Sequence, residues 1–90
     1  PTGRAAGFIV NARDAIEAIG VGTLVQIDLG RDNQLQPGDF LTVWRESPAP
    51  GQPRQVLGEA AVLTTENKTA TARIVAMRRA MTIGDRVEVR

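Results

Sequence analysis

The chain of 90 residues carries 11 basic and 10 acidic side chains, a formal net charge of +1, with 42% hydrophobic and only 3% aromatic residues. That length fits one small domain near the lower limit of independent folding, and the balanced charge argues against a general polyanion binder. Neither cysteine nor histidine occurs, which excludes disulfide staples, the usual zinc ligand sets and Ser–His or Cys–His nucleophile pairs.

Residues 1–6 are small and polar and read as a linker end. The start at Pro1 leads us to expect a C-terminal fragment of a larger protein, with any targeting segment outside it. No apolar run approaches the roughly 20 residues that span a bilayer, so membrane insertion is not expected. Gly7–Ala12 has a β-rich apolar centre and predicts a first strand. Asp14–Gly20, with Asp14, Glu17 and Gly20 as weak start and stop signals, predicts at most one short helical turn.

From Val21 onward short strands alternate with turn chemistry. Thr23–Leu29 is a predicted strand, 30–38 a loop, and Asp39–Arg45 the next strand. Ser47–Pro53, with three prolines and a glycine, is a surface excursion. Gln55–Thr65 reads as a strand with a bend or bulge at Gly58, Glu66–Lys68 as a hairpin turn, Thr69–Met77 as its antiparallel partner, and Arg86–Arg90 as the last strand. With no segment long enough for a crossover helix, residues 7–90 predict an all-β domain: a small antiparallel β-barrel of about six short strands.

One strand entry recurs. Gly22-Thr23-Leu24-Val25-Gln26-Ile27, Gly38-Asp39-Phe40-Leu41-Thr42-Val43 and Gly84-Asp85-Arg86-Val87-Glu88-Val89 share a glycine, then Thr or Asp, then alternation. Glycine permits a turn with positive φ, and the Asp or Thr oxygen can accept a nearby backbone N–H. Period-two alternation then puts Val25, Ile27, Leu41, Val43, Val87 and Val89 inside, and Gln26, Thr42 and Glu88 outside. Ala70, Ala72, Ile74 and Ala76 are expected to face inward by the same rule, against Thr69, Thr71 and Arg73.

The same phase sends Phe40, Trp44 and Leu24 to the outer face. Either the Pro-rich loop or another strand covers them, or they form a partner-binding patch. Asp28, Asp32, Asp39 and Asp85 invite a metal reading, but Asp39 and Asp85 occupy the turn position, and the 28/32 pair lacks the spaced ligands of a calcium loop. No phosphate-loop pattern is present. Arg73, Arg78 and Arg79 form a basic cluster that could contact an anion or simply be solvated. No cofactor is implied, and aromatic stacking platforms for nucleic acid are scarce.

The motif order carries a resemblance. It runs through Gly7-Phe8-Ile9-Val10, then Val21 to Gly30, then Leu35-Gln36-Pro37-Gly38-Asp39-Phe40-Leu41-Thr42-Val43. Leu57-Gly58-Glu59, Thr71-Ala72-Arg73-Ile74-Val75 and Ile83-Gly84-Asp85 complete it. This order resembles the β-domain that follows LysM peptidoglycan-binding repeats in some bacterial envelope proteins. It is also similar to the C-terminal domain of the flagellar assembly T protein. The resemblance implies a periplasmic or cell-envelope setting and a non-enzymatic accessory domain with a protein partner. Peptidoglycan would be reached only through a neighbouring domain. A second reading is a small-barrel binder of nucleic acid or glycan centred on Arg73, Arg78 and Arg79; a third is an enzyme subunit completed by another chain.

Overall fold

A computed structural model describes residues 5–13 and 18–90. Six strands, β1 (Ala6–Ala12), β2 (Leu24–Ile27), β3 (Phe40–Arg45), β4 (Gln55–Thr65), β5 (Ala70–Met77) and β6 (Arg86–Val89), form a closed antiparallel barrel in the order β1-β2-β5-β4-β3-β6. The β3-β4-β5 meander is flanked by β2 on one side and β6 on the other. It therefore belongs to two overlapping Greek keys. Closure leaves no unpaired sheet edge. The expected helical turn at Asp14–Gly20 falls largely outside the described residues, and 18–20 is not helical. The described helical content is one short 3₁₀ turn, Arg31–Asn33, in the loop after β2. Among the described residues no helix is long and apolar enough to cross a membrane.

The recurring strand entry is a four-residue turn built the same way each time. Thr23, Asp39 and Asp85 donate their backbone N–H to the carbonyls of Gly20, Gln36 and Thr82 at 3.0, 3.1 and 3.1 Å. In return their side-chain oxygens accept the backbone N–H of those same residues at 2.9, 2.9 and 2.7 Å. The glycine between them has φ of +92°, +94° and +100° at Gly22, Gly38 and Gly84, the type II geometry that L side chains avoid. Each turn thus closes two hydrogen bonds and releases the strand in a set phase.

That phase builds the core. Val25, Ile27, Leu41, Val43 and Val87 are buried, while Val89, at the strand's end, is half-buried and packs against the same cluster. Ile9, Leu57, Ala60, Val62, Ala70, Ala72 and Ile74 complete the interior. Its ends are stoppered by loop residues. Ile19 and Met81 come from the β1–β2 and β5–β6 connections at one end, and Leu29 and Leu35 from the β2–β3 connection at the other.

Bulges change the phase where alternation alone would continue it. Ala60 pairs with Ile74 but Glu59 pairs with Ala76, leaving Val75 as an extra residue in β5. Ala76, expected inside, is therefore exposed, and Met77 packs on the core in its place. Opposite β3, Val43 pairs with Gly58 and Trp44 with Val56, so the extra residue is Leu57, next to the glycine where a bulge was expected. Gly58 is required by crowding instead: a Cβ there would collide with the Ala76 carbonyl and the Met81 methyl.

Candidate functional site

The outer wall over β1, β6, β3 and β4 carries the densest arrangement of side chains with binding chemistry. Cross-strand pairing puts Phe8 beside Arg86, Arg86 beside Trp44 and Trp44 beside Val56, one row across four strands. The Arg86 guanidinium lies 5.0 Å from the Phe8 ring centre and 5.4 Å from that of Trp44. Arg54, arriving from the end of the Pro-rich loop, covers the Trp44 ring at 4.5 Å. Phe8, Arg86, Trp44 and Arg54 thus form a continuous cation–π stack. Arg54, the residue that follows the Pro-rich segment, thus lies over Trp44; Trp44 is half-buried and its Nε1–H is buried with no acceptor among the described residues.

A second row runs alongside. Glu88 pairs with Thr42 and Thr42 with Glu59. Arg54 Nη2 meets Glu88 Oε1 at 3.0 Å, and Arg90 Nη1 meets Glu59 Oε1 at 3.0 Å. Arg54 therefore stacks on Trp44 while its guanidinium edge is held by a carboxylate, a combination that orients it.

The residues singled out in the sequence divide among three places, Trp44 lying in the stack. Phe40 lies outside the interior, as its phase requires, and is 49% exposed. It shares a different row with Ala61, Arg73 and half-buried Leu24, spread over β3, β4, β5 and β2. Phe40, Trp44 and Leu24 all lie outside the interior but do not form one patch. Nor does Arg73 join Arg78 and Arg79: Arg73 sits in the Leu24–Phe40 row. Arg78 and Arg79 instead line an open cleft with Pro53, Arg54, Gln55 and Val56, and Arg78 also borders an adjoining hollow with Arg90. Sequence reasoning did not place Phe8, Arg54, Arg86 or Arg90 at a site. Only the strand order brings these distant segments together.

The acidic candidates have structural roles. Asp28 accepts the Phe8 backbone N–H at 2.6 Å, and Asp32 faces Lys68 at 4.0 Å. Asp85, only 4% exposed, takes Arg45 in a two-pronged pair, Nε to Oδ1 at 2.7 Å and Nη2 to Oδ2 at 2.8 Å. The hydrogen bonds to Asp85 raise the Arg45 guanidinium above its already high ordinary pKa, outweighing desolvation. Among the described residues no group of three carboxylates converges on a point that could hold a metal ion. Comparison of the chain with protein-family models, with curated proteins and with solved structures finds no match.

Proposed function

We propose that this barrel is a non-enzymatic interaction module that holds a protein partner against the outer wall of β1, β6, β3 and β4. The observation that carries the proposal is the stack of Phe8, Arg86, Trp44 and Arg54. Tryptophan and arginine are the residue types that concentrate binding energy at interfaces. Here they are held in register by a closed barrel with a packed core, so little ordering entropy remains to be lost on binding. The resemblance to domains that follow LysM repeats supports a bacterial cell-envelope setting, with peptidoglycan contacted by a neighbouring domain.

The test is a photo-crosslinking amino acid placed singly at Phe8 and, as a control on the β2–β5 side, at Thr71, in cells producing the full-length protein. A discrete protein adduct from Phe8 but not from Thr71 is expected. Adducts of equal yield from both positions, or none from Phe8, would refute the assignment. A second reading, binding of nucleic acid or glycan, is favoured by the arginines around the cleft, Arg54, Arg78, Arg79 and Arg90.

A further inference from the structure

The arginine cleft is built by the bulge in β4. Leu57, the extra residue, buries its side chain in the core, and its carbonyl accepts the backbone N–H of both Arg78 and Arg79, at 2.7 and 3.3 Å. The chain leaving β5 is pinned against β4 at that point. The side chains of Arg78 and Arg79 remain exposed and line the cleft with Arg54 and Val56, which is 37% exposed. Arg54 and Arg90 are committed to Glu88 and Glu59. Arg78 and Arg79 make no ion pair among the described residues. The result is a local surplus of positive charge on a chain whose net charge is only +1, next to the exposed aliphatic side chain of Val56.

We infer that this cleft receives a short acidic segment of the protein partner, with carboxylates on Arg78 and Arg79 and an aliphatic side chain on Val56. The inference rests on the reading of the barrel as a partner-binding module and names that partner's chemistry. Guanidinium forks match carboxylates with paired, charge-assisted hydrogen bonds. A phosphodiester strand fits less well. With Arg54 and Arg90 paired to Glu88 and Glu59, only Arg78 and Arg79 are left to meet an anion, too few to track a phosphodiester backbone, and the described cleft lining contains no aromatic ring on which a base could stack. One or two carboxylates match the two unpaired guanidinium groups.

The experiment uses fluorescence anisotropy of the whole chain with three labelled probes: a short peptide alternating Asp and Val, its Asn-and-Val counterpart, and oligothymidylate. The acidic peptide should bind in a salt-sensitive manner. The double variant Arg78→Gln, Arg79→Gln should weaken that binding about tenfold or more, the equivalent of one lost charge-assisted hydrogen bond, with thermal unfolding unchanged because both side chains are exposed. No acidic-peptide binding up to about millimolar concentration, equal binding of the Asn peptide, an undiminished double variant, or tighter binding of oligothymidylate would each overturn the inference. Any of these results, combined with partner crosslinking from Phe8, would remove the acidic segment and leave the interaction module standing. Loss of the crosslink alone would remove the module's wall and leave the cleft.

Discussion

Arg45 at the end of β3 and Asp85 in the turn that launches β6 are locked by two hydrogen bonds, 2.7 and 2.8 Å long, with the carboxylate buried and the guanidinium side chain 42% exposed. Asp85 also accepts the backbone N–H of Thr82 at 2.7 Å. One side chain therefore closes its own turn and ties that turn to a strand from another hairpin. Asp39 holds the equivalent place in the turn before β3, where its described role is the turn alone.

Two residues with identical local duties should therefore respond differently to the same change. Asp39→Ala removes one turn acceptor and should cost about 1 kcal/mol. Asp85→Ala also strips the partner from Arg45 and should cost about 2–3 kcal/mol, below the range for fully buried pairs because Arg45 is partly solvated. Chemical denaturation followed by circular dichroism measures both. Equal losses at the two positions would show that the Arg45 pair contributes nothing.

The glycine turns allow a cleaner separation of backbone strain from packing. At Gly38 φ is +94° and a Cβ would meet nothing within 4 Å. Gly38→Ala should therefore cost about 1–2 kcal/mol through conformation alone. A D-alanine introduced there by chemical synthesis suits the positive φ, and should stabilise by about 0.5–1 kcal/mol by restricting the unfolded chain. Thermal melts of the two forms should move in opposite directions from that of the parent chain.

What was legible in the sequence follows from locality. The turn at Gly38-Asp39 and the alternation Leu41, Thr42, Val43 concern neighbours in the chain, so the barrel, its inward face and the outward placement of Phe40 could all be read. Gly58 marks the bulge beside it, but nothing marks the bulge in β5. Val75 is extra only relative to β4, and no feature of β5 alone announces it, so alternation alone puts Ala76 on the wrong face. Leu29 continues the alternation of Val25 and Ile27 past the end of β2, but the stoppers Ile19, Leu35 and Met81 are hidden in the sequence because they are single apolar residues in turn-rich segments, where neither period applies. Phe8, Arg86, Trp44 and Arg54 become neighbours only once β6 is known to lie between β1 and β3.

Gly58 offers a steric counterpart to Gly38. Its Cβ would strike the Ala76 backbone and the Met81 methyl, and backbone cannot yield as a flexible side chain can. Gly58→Ala should cost about 2–3 kcal/mol, typical of overpacking, and no change of chirality should be needed to explain it. Because Gly58 adjoins Leu57, the same substitution should loosen the anchor of Arg78 and Arg79, raising amide hydrogen exchange at both. Unaltered exchange at those two amides would separate the glycine from the bulge.

Trp44 tests how stability and binding divide on the outer wall. Its indole fills the space between Arg54 and Arg86, yet its Nε1–H is buried with no acceptor among the described residues. An unsatisfied buried donor costs about 1–3 kcal/mol. Trp44→Phe removes that donor and keeps a ring between the arginines, so the lost contact area and the relieved penalty should nearly cancel, leaving stability within about 1 kcal/mol of the parent. Trp44→Ala removes the ring altogether and should cost about 2 kcal/mol, with a coupling to Arg54→Ala of about 0.5–1 kcal/mol in a double-mutant cycle. If the wall is the interface, Trp44→Phe should nonetheless weaken partner crosslinking from Phe8, because the indole's larger face sets the position of Arg54. A stable Phe variant with undiminished crosslinking would make Trp44 a purely structural support.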